Sequence, residues 1–207
     1  IYFHKLWLLA TNMFTDRYAR RFVIGVLIAF LPAAFVGALA HGFIKSVLFN
    51  PWVICFSLIA GGAILLYVDT LNLKPRYTEA TEFSLPMYAG IGVIQCVSMI
   101  PGVSRAGATI VGAMLLGADR RSAAEFSFWL AMPTMVGAFA YDLYKDGAQM
   151  TANNLLLVAV GFVTSFIFGW IVVKTFLGYV AKHGFGLFVW WRVIVGTLGL
   201  IGLALLG

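Results

Sequence analysis

The sequence predicts an all-α integral membrane protein, and three observations predict it. The 207 residues are 62% hydrophobic and only 11% charged, with a mean hydropathy of +0.96, whereas soluble domains carry roughly 25% charged residues. The apolar residues come as long uncharged runs, not as the short alternating segments of a membrane β-barrel. The Lys and Arg residues behind the net charge of +6 sit between those runs, where they set orientation and meet anionic lipid. That placement argues against a nucleic-acid partner, which would need one basic soluble face.

Taken in order, Ile1-Tyr2-Phe3-His4-Lys5 reads as the tail of an apolar span reaching an interface. The first full span covers residues 22–40, nineteen residues without a charge. A second uncharged run covers 46–68. Later runs cover 126–141, 147–173 and 185–207, the last interrupted only by Arg192. Each meets the need for about 20 apolar residues once tilt and ragged ends are allowed, so about five transmembrane helices are expected. No signal peptide is visible. Cys55 and Cys96 lie within apolar runs, far from any metal or redox spacing, and read as small buried hydrophobes.

Residues 86–118 behave differently. Pro101-Gly102 splits this stretch into pieces of 15 and 16 residues, about 23 Å each as helix. Both fall short of a hydrocarbon core of about 30 Å. A helix broken at that depth is tolerated only where its backbone lines protein or a cavity. The region is therefore expected to form a re-entrant helix–loop–helix within a single polytopic membrane domain spanning 1–207. The alternative is one kinked helix followed by a further span. Loop charge discriminates. With residues 1–21 cytoplasmic and the hairpin returning to its own side, ten Lys and Arg fall on the cytoplasmic side and only Lys45 and Lys145 outside, as the positive-inside rule requires. A single crossing would even out that split.

The tip, Pro101-Gly102-Val103-Ser104-Arg105-Ala106-Gly107-Ala108-Thr109, carries the chemistry. No Lys, Arg, Asp or Glu occurs from Phe83 to Ser104 or from Ala106 to Ala118. An arginine inside a membrane is costly and marks a substrate or ion site, and its planar fork suits phosphate. If the second half-helix starts near Ser104, that residue is its N-cap, and the first N–H groups and the positive dipole end face the same place. Arg105 and Thr109, four apart, share a face. One guanidinium, two hydroxyls and a helix N-terminus then converge as an anion site of the broken-helix type. Gly102, Gly107 and Gly112 leave room for a ligand or a neighbouring backbone. The structural alternative is an arginine that ties helix ends together, with hydroxyls that bond helices. Gln95, two turns before the tip, either hydrogen-bonds substrate or metal-bound water or caps the broken helix.

The stretch from Gly92-Val93-Ile94-Gln95-Cys96 through Pro101-Gly102-Val103-Ser104-Arg105-Ala106-Gly107-Ala108-Thr109 closely resembles the second signature of bacterial undecaprenyl-diphosphatases, the bacitracin-resistance phosphatases, written PGxSRSxxT. Ser122-Ala123-Ala124-Glu125-Phe126-Ser127-Phe128 and Ala131-Met132-Pro133 continue the resemblance. So do Ile44-Lys45-Ser46 with Asn50-Pro51, and Lys174-Thr175-Phe176-Leu177. It runs over essentially the whole chain. The resemblance implies two inverted repeats, each a re-entrant pair plus three spans, in the bacterial cytoplasmic membrane. It implies hydrolysis of the terminal phosphate of a C55 isoprenyl diphosphate, which recycles the carrier lipid for cell-wall synthesis and confers bacitracin resistance. On this reading Arg105, Ser104 and Thr109 are catalytic, and Gly102, Val103 and Gln95 bind substrate. A lipid-phosphate translocator using the same anion site is the alternative function.

Two departures stand out. Ala106 replaces the usual second serine, which removes one hydroxyl and is expected to weaken or alter binding. The family's first signature, E-x-x-x-E followed by P-V-S-S-T-G-H, has no counterpart among Glu79, Glu82 and Glu125. It is expected upstream of Ile1, together with the nucleophile or base and the carboxylate ligands of any Mg2+ or Ca2+, so residues 1–207 alone are expected to be inactive. Glu125 reads as structural, at a helix start beside Arg120 or Arg121. Arg192, after Trp190-Trp191, reads as a snorkelling residue in an aromatic belt, with a diphosphate contact as its alternative. His4, His41 and His183 have no ligand spacing. The acid-phosphatase type of lipid phosphatase fails, because Val111 stands where its catalytic histidine would follow Arg105.

Overall fold

The computed structural model describes residues 3–71, 73–146 and 152–206. Eight α-helices follow in order: α1 (Phe3–Asn12), α2 (Arg17–Phe43), α3 (Pro51–Thr70), α4 (Leu85–Gln95), α5 (Arg105–Leu115), α6 (Arg120–Asp146), α7 (Ala152–His183) and α8 (Gly186–Leu206). A π-helical turn, Ile44–Leu48, ends α2, and a 3-10 turn, Cys96–Met99, extends α4. Among the described residues there is no strand beyond an isolated bridge between Tyr77 and Ala118. The protein is an all-α membrane protein, as the composition predicts.

Among the described residues four helices are long and apolar enough to cross a bilayer, over Arg17–Ala40, Pro51–Thr70, Leu156–Val180 and Gly186–Leu205. The span expected at 126–141 lies in the middle of α6, which at 27 residues equals α2 in length. Arg120 and Arg121 at one end of α6, and Asp142 and Lys145 at the other, lower its hydropathy below that of the other four. Residues 147–151 of the next expected span lie outside the described residues. The rest of that span forms α7, which continues ten residues past Val173 to His183. Lys174 does not end the helix: its ammonium lies 5.5 Å from the centre of the Trp170 ring, so the charged head is accommodated along an apolar stem. The expected second span begins later than residue 46, because Asn50 caps α3 by accepting from the Trp52 N–H at 2.9 Å, with Pro51 in the first turn. At the start of the chain, α1 is a separate helix joined to α2 by a turn at 13–16.

Residues 85–115 form an antiparallel hairpin. Leu116 packs beside Gly90 and Ile94 beside Gly112, a register that places the tip at Val103. Both feet of the hairpin stand together: Gly117 O accepts from the N–H of Arg76 at 2.7 Å and of Tyr77 at 3.0 Å, and the Asp119 N–H donates to Tyr77 O at 3.0 Å. The two short helices therefore fold back on each other and end on the same side of the helix bundle, as a hairpin rather than one kinked helix. The same end holds the start of α2, whose Phe22 ring lies 5.5 Å from Trp129 of α6, and the end of α3. There Asp69 pairs with Arg120 at 2.8 Å and accepts from the Phe185 N–H, between α7 and α8, at 3.2 Å. An aromatic cluster seals this end, with Phe83, Tyr88 and Phe126 5.2 to 5.7 Å apart and the Tyr88 hydroxyl donating to Ala80 O at 2.8 Å. The side chains of α7 from Leu156 to Val172 are all exposed, and so large an apolar face suits lipid rather than water.

Candidate active site

The tip is built by two local rules. Gly102 adopts φ +91°, a conformation that other residues rarely take, and follows Pro101, so the chain reverses where α4 ends. Ser104 then caps α5 in extended conformation, its Oγ accepting from the Gly107 N–H at 3.1 Å. The first N–H groups of α5, at Arg105 and Ala106, have no acceptor within the helix. The expected N-cap is therefore observed.

Arg105 and Thr109 share a face, and that face meets α6. Arg105 Nη1 donates to Ser127 O at 3.4 Å. Thr109 Oγ1 lies 2.7 Å from Ser127 Oγ and also within 3.0 Å of Arg105 O and 3.1 Å of Ala106 O. A hydroxyl has one proton to give. When Thr109 bonds its own helix, Ser127 donates to it. Thr109 is fully buried, so its hydroxyl works between helices, which is how hydroxyls commonly join membrane helices. Arg105 Nε is buried with no hydrogen-bond partner among the described residues. An uncompensated buried cation donor is costly, and an anion is what would complete it.

The other expected site residues do not all join this face. Ser104, Val103 and Ala106 line a cavity of about 540 Å3 on the opposite side of the hairpin, against α3, α7 and α8. Ala106, where the signature that this stretch resembles has serine, lines that cavity. Gln95, 1% exposed, has both amide atoms buried and without a partner among the described residues. It lines a second cavity of about 370 Å3 between α2 and α6, with Ser98, Thr134 and Asp142. Gly102 is filled by protein: a Cβ there would collide with Ile54 O and meet Ser57. The expected convergence of four elements on one spot is thus divided by the hairpin into two faces.

Three residues carry contacts that sequence reasoning missed. Ser127 contacts both Arg105 and Thr109; its only signal in the sequence is its place in the Ser122–Phe128 stretch that continues the resemblance. Asp69 joins three elements. Arg192 does not snorkel towards an interface: its Nη2 donates to Gly102 O at 2.9 Å and Ser57 O at 3.4 Å. Arg120 pairs with Asp69. Both cysteines are free, Cys55 buried and Cys96 half-buried. Among the described residues no three His, Cys, Asp or Glu side chains come together, and no carboxylate is paired with Arg105. The donors present do not fit a divalent cation, which takes oxygen ligands, carboxylates foremost.

Residues 1–198 match the family described as bacitracin resistance protein BacA. The chain belongs to that family. An undecaprenyl-diphosphatase from Rhodopseudomonas palustris is 70% identical over 205 residues, covering 99% of this chain and 76% of the relative. Another, from Bradyrhizobium diazoefficiens, is 68% identical over 206 residues, covering 99% of this chain and 77% of its own length. One from Afipia carboxidovorans is 64% identical, with 99% and 76% covered.

Proposed function

We propose that this chain is an undecaprenyl-diphosphatase, a membrane hydrolase that converts undecaprenyl diphosphate to undecaprenyl phosphate and inorganic phosphate. That activity returns the lipid carrier to peptidoglycan synthesis and underlies bacitracin resistance. One observation carries the reading: Arg105 occupies the first position of α5 at the tip of the hairpin, with Nε buried and without a partner among the described residues. Phosphoryl transfer needs chiefly positioning and stabilisation of charge on the phosphate oxygens. Arg105 supplies a permanent cation, and the first-turn N–H groups and dipole of α5 supply fixed partial charge beside it. Thr109 and Ser127 hold the Arg105 turn of α5 against α6. Ser104 keeps the helix end open, and its hydroxyl proton remains available to a phosphate oxygen.

Gly102 and Val103 form the tip, whereas the Gln95 amide lies in the separate cavity between α2 and α6 and does not share the space that Val103 and Ser104 line. A divalent cation such as Mg2+ or Ca2+, which the family resemblance implies, would need carboxylates that the described residues do not bring to Arg105. The Lys- and Arg-rich end of the molecule lies in the cytoplasm of a bacterial inner membrane, and the tip faces the opposite, external side.

Phosphate release from undecaprenyl diphosphate by the full-length protein in proteoliposomes tests this. Arg105→Ala is expected to lower kcat by about 10²–10³-fold, the range for removing one preorganised charge-stabilising donor. Full hydrolysis by that variant refutes the phosphate-holding role. Lipid translocation without phosphate release from the unmodified protein would instead establish a translocator.

A further inference from the structure

We infer that Arg192 is a positioning residue for this reaction, setting the height of the hairpin tip and hence of the α5 N-terminus that holds the phosphate. The inference rests on the phosphate-holding reading of Arg105. It begins from an arginine placed where none is needed for folding a span. Arg192 lies seven residues into α8, a helix that is otherwise uncharged. A guanidinium there must find acceptors inside the protein. Its Nη2 finds two, Gly102 O at 2.9 Å and Ser57 O at 3.4 Å. The first of these carbonyls belongs to the turn itself, three residues before Arg105. The second belongs to α3. One side chain therefore joins α8, α3 and the tip.

The neighbouring residues are shaped for this contact. A Cβ on Gly61 would stand 2.5 Å from Arg192 Nη2, so the glycine leaves the space that the guanidinium occupies. A Cβ on Gly102 would meet Ile54 and Ser57 of the same helix, so the turn sits directly on α3 where Arg192 crosses it. Arg192 Nε is buried without a partner among the described residues. Desolvating this cation is costly, and two carbonyl contacts compensate only in part. A methionine or leucine would pack the same apolar helix pair without that cost. A cation here also lines the cavity beside Ser104, but its two hydrogen bonds go to backbone carbonyls, one of them at the tip itself.

The position of the Gly102 carbonyl matters because the tip is held from two sides by arginines. Arg105, on α5, binds α6 through Ser127 O, and Arg192, on α8, binds the tip through Gly102 O and α3 through Ser57 O. Releasing Arg192 frees the loop 100–104 to move relative to α3, carrying the first turn of α5 with it. Displacements of about 1 Å at a reacting group can cost on the order of 100-fold in rate. Binding of the long lipid chain, which depends on apolar burial elsewhere, changes much less.

The test uses Arg192→Met, Arg192→Lys and Gly61→Ala in the whole protein reconstituted in nanodiscs. Hydrolysis kinetics are measured together with hydrogen exchange over 100–108. Arg192→Met and Gly61→Ala are expected to lower kcat by about 10-fold or more with KM within about threefold, and to speed exchange at the tip but not in α6. Arg192→Lys, which keeps one charged donor, is expected to recover part of kcat. Unchanged kcat in Arg192→Met overturns the inference. So does a loss of kcat without faster exchange at the tip, which would make Arg192 a direct substrate contact, and so does faster exchange spread over all helices, which would make it a general stabiliser. If the unmodified protein releases no phosphate, the proposed activity fails, while the exchange arm still decides whether Arg192 holds the tip.

Discussion

At the scale of single residues, Gly102 shows how much a backbone position can determine. Its φ of +91° lies where side chains are strained, and its face abuts the Ile54 carbonyl of α3. Gly102→Ala therefore meets both a conformational and a steric cost, about 1–3 kcal/mol from the backbone alone. A lowered thermal midpoint in detergent is the expected outcome, and an unchanged one would show that the turn relaxes freely. Arg105 was legible from sequence because a charge inside an uncharged run is conspicuous. Its partner was not. Ser127 is one of several hydroxyls on apolar helices, and only packing shows that it receives Arg105 and Thr109 together. The same holds for Arg192, whose adjacent tryptophans suggested an interface while its actual acceptors lie 90 and 135 residues away in sequence.

At the scale of elements, the hairpin follows from local chemistry. Pro-Gly ends one helix, serine begins the next, and both halves are too short to span. Ser104 has two separable roles, which substitution can divide. Ser104→Ala removes the cap bond to Gly107, with an expected loss of about 1 kcal/mol. Ser104→Asp caps equally well but sets a negative charge where the phosphate would bind. Thermal midpoints should then fall for alanine and hold for aspartate, while phosphate release falls further for aspartate. Equal activities in the two variants would remove Ser104 from the phosphate site. Helix ends were less legible than helix existence. The helix α7 runs on through Lys174 because a lysine stem lies along apolar surface, and α3 starts late because Asn50-Pro51 is a strong start signal.

At the scale of the whole molecule, charge distribution and packing agree on direction. The starts of α2 and α6, the ends of α3 and α7, and both feet of the hairpin lie at one end, where Asp69 and the aromatic cluster fasten them. That end carries the positive loops. Cysteines introduced at Thr78 and Arg121 should be protected from an impermeant thiol reagent applied outside intact cells, whereas one at Val47 should react. Labelling of Thr78 and Arg121 from opposite sides would contradict the hairpin.

By itself the sequence determined the class, the order of the apolar segments, the break at Pro101-Gly102 and the one arginine that stands out in that uncharged stretch. These are local matters of composition, period and helix punctuation. Tertiary structure alone decided what each face of the hairpin meets: Arg105 and Thr109 turn to α6, Ser104 and Ala106 to the cavity beside α3 and α8, and Gln95 to the space between α2 and α6. Helical spacing states which side chains share a face. Which neighbour covers that face depends on contacts between residues far apart in the chain, and so does whether an arginine holds a ligand or holds the site in place.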